Sequence, residues 1–578
     1  MSKKILLVFS LLLLLFSACT EKKPLKMKLK VLATTDVHGA IFPYDFVKDK
    51  EAKSSLAQAF SYIRKEQEDP DQEVVLLDNG DILQGQPLVY YYNFEKTEEA
   101  HICSRVMNYM GYDAGTVGNH DIEPGHAVYD KIRKEFEFPW LGANAVCNED
   151  GAPYFEPYTI IERRGVRIAV LGMITPAIPQ WLPENIWEGM HFEPMIASAR
   201  KWMKVIREKE NPDLVIGLFH SGVGDGIASE GKIVEQASRL IARKVSGLDM
   251  IVCGHDHQAN LIWEKNPEGK DVLVINPNNS AMLIADVEVE LSWDAEQKCY
   301  KKELKPQLVP VKDLPVSEDF LVQFQSAFDE VKSYVSRDVG NFARTITTRD
   351  ALFGDAAFVD LIHQIQMEIT GADISFAAPL SFNAEIKAGQ LQVRDLFKLY
   401  RYENLLYTME LSGQEVKDFL EYSVDLWFNQ MKKESDHLLK MKELAKGVRL
   451  VEPFFNFDAA AGLNYTVDVK RGKGERIVIS RMTDGTVFDL HKTYRVALNS
   501  YRGNGGGGHL TQGAGIPKKE LTNRIVHSTT KDLRYYLMKW VEQQGVVIPQ
   551  CDSNWKVIPK EWWQAGKSKD YQLLYGAH

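Results

Sequence analysis

Past residue 19, no apolar run in this 578-residue chain is long enough to span a bilayer, which takes roughly 20 residues. That excludes a helical membrane protein beyond its first segment. Cysteine is scarce: the chain has six, no CxxC occurs, and Cys103, Cys147, Cys253, Cys299 and Cys551 follow Cys19 at irregular spacing. A zinc-thiolate site and a disulfide-built scaffold are therefore excluded, while one disulfide stays open to an exported protein. An excess of positive charge is also missing, since 69 basic residues face 79 acidic ones for a net charge of −10. Binding to a nucleic-acid polymer by bulk charge calls for the opposite balance, so no such partner is expected. A small phosphorylated ligand needs only a local site and stays allowed. Internal repeats and long low-complexity tracts are absent too, and "GNGGGG" is a short loop.

The start of the chain is of another kind. "MSKK" is basic, Ile5 to Phe16 is almost wholly apolar, and Ser17 and Ala18 are small. This reads as an export signal. Together with Cys19 it resembles a bacterial lipobox, with Phe16 where Leu is usual. Residues 1–18 are then a lipoprotein signal peptide and Cys19 the lipidated mature N-terminus. The protein is expected to be exported and anchored in a bacterial membrane, periplasmic or surface-facing, as a monomer. An ordinary cleaved signal with an incidental cysteine is the alternative.

What remains is rich enough in apolar residues (45%) for two globular domains. Strand-like runs "LKVLATT", "VVLLD", "RIAVLGMI", "DLVIGLF" and "LDMIVCG" alternate with helical periodicity over Ser54 to Glu68, His101 to Met110, Met195 to Lys209 and Lys232 to Val245. That alternation predicts an α/β domain over 28–310. From Lys301 the strand signal fades, and "SEDFLVQFQSAFDEVKSYVSRDVG" predicts a linker helix over 316–340. A second α/β domain is expected over 342–560 and an aromatic tail, packed on a domain surface, over 561–578.

Polar groups with ligand chemistry follow five of the apolar runs. "TTDVHG" supplies Asp36 and His38, "LLDNGD" Asp81, "VGNHDIEPGH" Asn119 and His120, "LFHSG" His220, and "CGHDH" His255 and His257. Any one of these reads as an ordinary turn, because Asn, Asp and Gly favour turns. Five in one domain, at strand ends where α/β folds gather ligands, form a pattern. Alternate residues of an extended segment share a side, so Asp36 and His38, and likewise His255 and His257, are expected to share a target. Gly39, Gly80, Gly118, Gly222 and Gly254 allow tight turns beside them. Carboxylate, imidazole and amide without thiolate suit Mn, Zn, Co, Fe or Mg. Two such divalent ions, with Asp81 free to bridge, could clamp a phosphoryl group and activate water.

"DVHG", "NGD", "GNHD", "FHSG" and "GHDH", in this order, resemble the calcineurin-like metallophosphoesterases. The layout resembles their 5′-nucleotidase and 2′,3′-cyclic-nucleotide 2′-phosphodiesterase/3′-nucleotidase branch, over nearly all of the chain after Met27. The resemblance implies a β-sandwich flanked by helices. It implies that Asp36, His38 and His257 hold one metal and Asn119, His220 and His255 the other, bridged by Asp81. His257 stands where relatives often have Gln. His120 matches the family's catalytic histidine. Its orienting acid usually lies three residues on, as Asp or Asn; here that residue is Glu123, and Asp121 stands where the family has Glu. Glu123 is taken as the partner because its extra methylene reaches the imidazole.

The second domain carries substrate choice. "RYENLLYTMELSG" and "NSYRGNGGGGH" resemble the family's substrate motifs. They imply a nucleobase sandwiched by Tyr402 and Tyr501, with Gly505 opening the backbone to the ligand and Asn404, and also Asp458, as polar candidates. Stacking of this kind is worth roughly 1–3 kcal/mol and accepts any base. The arginine of a "GGIR"-like stretch in 5′-nucleotidases is replaced by Asn383 in "AAPLSFNAEIKAGQ". With that arginine absent, "FNFDAAAGLNYTVDV" and "SYRGNGGGG" resemble the cyclic-phosphodiesterase/3′-nucleotidase branch more closely, which implies 2′,3′-cyclic nucleotides and 3′-nucleotides as substrates. A 5′-nucleotidase or nucleotide-sugar hydrolase is the rival on the same scaffold, and a non-catalytic nucleotide-binding surface lipoprotein the rival from another class. A sulfur–sulfur hydrolase of the same family is disfavoured by the two tyrosines. With base and phosphate held by different domains, a hinge is expected near Lys312 to Gly340.

Overall fold

The computed structural model describes residues 24–225, 233–444 and 447–576. Cys19 and the signal segment 1–18 lie outside them. In the N-terminal half, twelve strands form two six-stranded sheets: β1 (Lys26–Thr34), β2 (Glu73–Asp78), β3 (Ala114–Thr116), β4 (Trp140–Leu141), β5 (Tyr158–Arg163), β6 (Val166–Ile174), β7 (Leu214–His220), β8 (Met250–Cys253), β9 (Ala259–Lys265), β10 (Asp271–Pro277), β11 (Leu283–Asp294) and β12 (Cys299–Pro310). One sheet runs β12-β11-β1-β2-β3-β4 and the other β9-β10-β8-β7-β6-β5. Inner strands pair in parallel, β1 with β2 and β7 with β6 and β8. The edges turn antiparallel, β11 with β12 and β5 with β6.

The two sheets face each other because their strands alternate. Leu29, Val31 and Ala33 of β1 meet Ile216, Leu218 and Val252 between the sheets. Leu32 and Leu76 point the other way, under α1 (Leu56–Gln67) and α2 (Ile102–Met110). α3 (His126–Glu135) adds Val128, Tyr129 and Ile132 to that layer. On the far side, α4 (Met195–Lys209) and α5 (Ser238–Lys244) cover the second sheet through Met203, Ile206 and Ile241. The result is the β-sandwich flanked by helices that the motif resemblance implied.

Three expectations change. β12 is a strand, although "KKELK" carries no apolar run. It is an edge strand, half exposed, paired along its length to β11, and an edge needs an apolar stripe on one side only. The helix expected over Lys232 to Val245 begins only at Ser238; Lys232 lies outside the described residues. Before it, the Ser221 hydroxyl accepts from Ala237 N–H (2.8 Å) and donates to the Glu235 carbonyl (2.7 Å). The backbone groups a helix would use are thus tied to the site loop. The predicted linker helix is α6 (Glu318–Val335), capped by Ser317. It buries Phe320, Phe324, Ala327, Val331 and Val335 in the first domain's core beside Phe42 and Phe60, so it is part of that domain rather than a free connector.

The second domain centres on a five-stranded mixed sheet of β13 (Ile374–Ala377), β14 (Leu405–Ser412), β15 (Ala459–Ala461), β16 (Thr493–Asn499) and β17 (Ile525–Asp532), in the order β15-β13-β16-β14-β17. α7 (Ala357–Thr370) and α9 (Leu533–Gln544) pack on one face, and α8 (Gly413–Trp427) on the other. The aromatic tail forms α10 (Lys560–Tyr575), whose Trp563 indole donates to the Phe353 carbonyl (2.6 Å).

Candidate functional site

The candidate ligands stand just past the C-terminal ends of β1, β2, β3, β7 and β8. Their local conformation is unusual. Asp36, His38, Asp81, His255 and His257 have φ of 49, 50, 59, 68 and 52°. Side chains avoid this left-handed region at a cost of order 1–3 kcal/mol each, and such strain gathers at functional sites. The paired ligands therefore share a target through successive left-handed turns, not through the extended segments expected from spacing. The turns are locked to one another: Asp36 N–H donates to the Gly80 carbonyl (2.8 Å) and His38 N–H to the Asp81 carbonyl (3.0 Å). Two glycines are required by close approach. A Cβ at Gly118 would lie 2.1 Å from Asp81 Oδ1, and one at Gly254 2.4 Å from Asp36 Oδ2.

The side chains converge in two groups. Asp36, His38 and His257 form one, and Asp81, His220 and His255 the other. In the first, His257 Nε2 lies 3.0 Å from His38 Nε2 and 3.3 Å from Asp36 Oδ1. In the second, His220 Nε2 lies 3.0 Å from Asp81 Oδ2 and 3.1 Å from Asn119 Oδ1, and His255 Nδ1 lies 2.7 Å from the same amide oxygen. All seven predicted ligands thus gather at one place.

Hydrogen bonds on the outer ring nitrogens fix the inner ones. His38 Nδ1–H donates to the Gln84 carbonyl (2.9 Å) and His220 Nδ1–H to the Asn79 carbonyl (2.6 Å). Each Nε2 therefore aims a lone pair inward, at another imidazole or at carboxylate and amide oxygens. Acceptors facing acceptors call for a cation between them, and backbone carbonyls behind metal-binding histidines are the usual support. The donor set fits two divalent ions. Without them, a proton meets part of the same need. Burial opposes charge on His220, but Asp81 and Asp36 push it up to about 10. Burial also opposes ionisation of Asp81, yet His220, His120 and His38 outweigh it and hold the carboxyl well below its usual range. His38 goes the other way, lowered to about 4 chiefly by burial.

His120 stands beside both groups, its ring 5.5 Å from that of His38. Its Nδ1 lies 2.5 Å from Glu123 Oε2. Burial works against charge on this imidazole, but Glu123 and Asp81 raise it to about 9. Asp121 has a different task. Its carboxylate accepts from the N–H groups of Asp81, Ile82, Leu83 and Gly118, at 2.7–3.0 Å. It stitches the Asp81 loop to the Asn119 loop and does not touch His120's ring.

A cavity of about 460 Å³ opens over the cluster and is walled by both domains. His38, Asn119, His120, Glu123, His255 and His257 of the first domain and Tyr402, Asn404 and Tyr501 of the second all line it. Gly505 is not among its lining residues. The glycine loop serves Tyr501 from behind, since a Cβ at Gly506 would lie 2.6 Å from that ring. Asp458 is a buried structural partner of Arg502, 2.5 Å away. Asn383 accepts from Arg349 Nε (2.6 Å) and does not line the cavity. Several lining residues escaped sequence reasoning. Trp181 lies over His255, ring centroids 5.6 Å apart and 27° from parallel, and Arg401 and Phe455 line the second domain's side. Glu235, 2.9 Å from His255 Nε2, fixes that ring from outside. None of these carries a strand-end signature; Arg401 opens the "RYEN" stretch and Phe455 opens "FNFD", but nothing in the sequence sets either apart.

Residues 29–259 match the family model of the calcineurin-like phosphoesterases and residues 335–513 that of the 5′-nucleotidase C-terminal domain. The trifunctional nucleotide phosphoesterase YfkN of Bacillus subtilis is 27% identical over 92% of this chain, which spans 39% of that longer protein. The 2′,3′-cyclic-nucleotide 2′-phosphodiesterase/3′-nucleotidase of Haemophilus influenzae is 25% identical over 92% of this chain and 87% of its own length. The 5′-nucleotidase of Vibrio cholerae is 24% identical over 83% of this chain and 86% of its own. Among solved structures, the 5′-nucleotidase precursor from Thermus thermophilus superposes with a TM-score of 0.61 at 20% identity, covering 92% of this chain and all of the other, and so shares the fold.

Proposed function

Since the chain belongs to the metallophosphoesterases that join a calcineurin-like domain to a 5′-nucleotidase C-terminal domain, we propose that it hydrolyses nucleoside 2′,3′-cyclic phosphates to 3′-nucleotides and these to nucleosides. The observation that supports this most is a single cavity lined both by ligand-cluster residues with His120 and by two tyrosines. One bound nucleotide would then meet the cluster with its phosphate and the tyrosines with its base.

Asp36, His38 and His257 would hold one ion, and Asn119, His220 and His255 the other, with Asp81 between. When bound, the ions supply Lewis acidity toward the phosphoryl oxygens and an acidified water. The chain's own residues do the rest. Glu123 fixes His120 through Nδ1, which leaves Nε2 as the ring's proton-bearing position toward the cavity. The water oxygen forms a bond to phosphorus and sheds a proton to solvent, the bond from phosphorus to the ribose oxygen breaks, and His120 gives that oxygen its proton and is then reprotonated from solvent. With a cyclic ester the 2′-oxygen leaves first; with the 3′-nucleotide product, the 3′-oxygen leaves and phosphate is freed. Trp181, Leu182 and Phe455 give the cavity apolar wall.

The match over 92% of this chain to a protein named 2′,3′-cyclic-nucleotide 2′-phosphodiesterase/3′-nucleotidase, against 83% to the 5′-nucleotidase, supports this reading over a 5′-nucleotidase. Assaying 2′,3′-cyclic AMP, 3′-AMP, 5′-AMP and UDP-glucose with each divalent ion decides between them. The first two should exceed the others at least about tenfold in kcat/KM, a difference of 1.4 kcal/mol. A lead for 5′-AMP or UDP-glucose would move the chain to the rival reading. Nucleotide binding with no turnover under any ion would make it a binding protein. We also propose export and anchoring through a lipid on Cys19. Mass spectrometry of membrane-extracted protein would show a diacylglyceryl-modified Cys19, and an unmodified cysteine would refute it.

A further inference from the structure

Arg401 is the only lysine or arginine among the residues that line the cavity. Its side chain is exposed, and among the described residues it has no hydrogen-bond or ion-pair partner. Its main chain is held firmly. The Arg401 carbonyl accepts from Arg534 Nη2 (2.6 Å), and the Tyr400 carbonyl from Arg534 Nε (3.0 Å). The Arg534 guanidinium is itself buried over the rings of Tyr90 and Phe397, at 4.7 and 4.0 Å. A rigid platform thus presents a guanidinium that nothing in the protein uses. The one carboxylate on the cavity wall, Glu123, is committed to His120.

A guanidinium fork suits phosphate or carboxylate, and here only its backbone root is fixed. The scissile phosphate is provided for by the metal-ligand cluster and His120. A nucleotide has three ends: the base, the 2′,3′ edge of the ribose, and its 5′ edge. Tyr402 and Tyr501 take the first and the cluster takes the second. Arg401, the chain neighbour of Tyr402, is left for the third. We infer that Arg401 receives a 5′-phosphate, so that the preferred substrates are 3′-nucleotides and 2′,3′-cyclic nucleotides already phosphorylated at the 5′ position. This rests on the 3′-nucleotidase reading above. In a reaction sequence, such substrates are the first nucleotides released when 5′-phosphorylated RNA is cleaved, through its 2′-hydroxyl, directly after its 5′-terminal residue.

The test compares adenosine 3′,5′-bisphosphate with 3′-AMP in the Mn²⁺-loaded full chain and in Arg401→Ala and Arg401→Glu. The readout is the ratio of the two kcat/KM values. In the unaltered protein the bisphosphate should lead about tenfold, the scale of one charge-assisted pair. Arg401→Ala should bring the ratio near one, mainly through KM of the bisphosphate, and Arg401→Glu should invert it. A ratio near one in the unaltered protein, or one that survives Arg401→Ala, would overturn the inference. So would an equal loss of both substrates in Arg401→Ala, which would place the guanidinium on the scissile phosphate. Failure of the parent reading looks different: 5′-AMP would be hydrolysed and 3′-AMP would not, and any product from the bisphosphate would be 3′-AMP rather than 5′-AMP.

Discussion

Each side chain of the cluster carries a charge or lone pair that its neighbours leave unmet, and substitutions should separate their tasks. Glu123→Gln keeps a hydrogen-bond acceptor but removes the charge that raises His120. It should lower kcat for 3′-AMP about 10²-fold, within the usual contribution of general acid catalysis, while two ions still bind; unchanged kcat would remove the dyad. A second carboxylate group, away from the site, gives a pH prediction. Burial, with help from Asp355 and Asp552, pushes Asp360 up to about 8. Its folded value lies above its unfolded one, so its contribution to stability is present at low pH and is lost as pH rises through about 8. Asp360→Asn should therefore raise stability by about 1–2 kcal/mol at pH 9 and change it little at pH 4, read by denaturant melts. At this scale the motif residues were legible because each follows an apolar run and brings ligand chemistry. Trp181 and Glu235 were not, because single aromatic or charged residues have no local pattern and are recruited from remote stretches of chain; Arg401 stood in the "RYEN" motif but nothing there set it apart from its neighbours. The left-handed turns at Asp36 and His255 were hidden as well, since non-glycine residues give no sign of positive φ.

Among elements, the loop after β16 shows how a sequence signal can be read for the wrong reason. Its glycines suggested a backbone meeting the ligand, but they make room for Tyr501 and Arg502. Gly506→Ala should displace the Tyr501 ring and raise KM for 3′-AMP several-fold, while hydrolysis of bis-p-nitrophenyl phosphate, which has no base to stack, keeps its rate. Equal effects on both would separate the ring from base binding. α6 was legible as a helix from its Ser317 cap and apolar spacing. Its burial was not, because an amphipathic pattern does not say which domain receives the apolar face. Phe324 is 1% exposed, and Phe324→Ala should cost roughly 3 kcal/mol or more, seen as a lowered midpoint in urea. β12 was missed as a strand for the matching reason: its partner β11 supplies the hydrogen bonds, and its own residues need not be apolar.

In the whole molecule, the ligand cluster belongs to one domain and the two tyrosines to the other, and the cavity is lined by both. α6 is fixed to the first domain, so a hinge would bend after Val335, near Ser336–Arg337, at the far end of the stretch expected from sequence. The two domains and their order were readable from alternating strand and helix signals. Their docking was not, because it rests on scattered contacts such as Tyr90 hydroxyl to Asp532 (3.1 Å) and Arg394 to Asp49 (2.6 Å). The central claim is that side chains from five strand ends make one cage for two cations. A crystal of the Mn²⁺-loaded protein, with anomalous maps at the manganese edge, tests it most directly. Two peaks are predicted, one among Asp36, His38 and His257 and one among Asn119, His220 and His255, with Asp81 between them. A single peak elsewhere, or none at full Mn²⁺ saturation, would contradict the account.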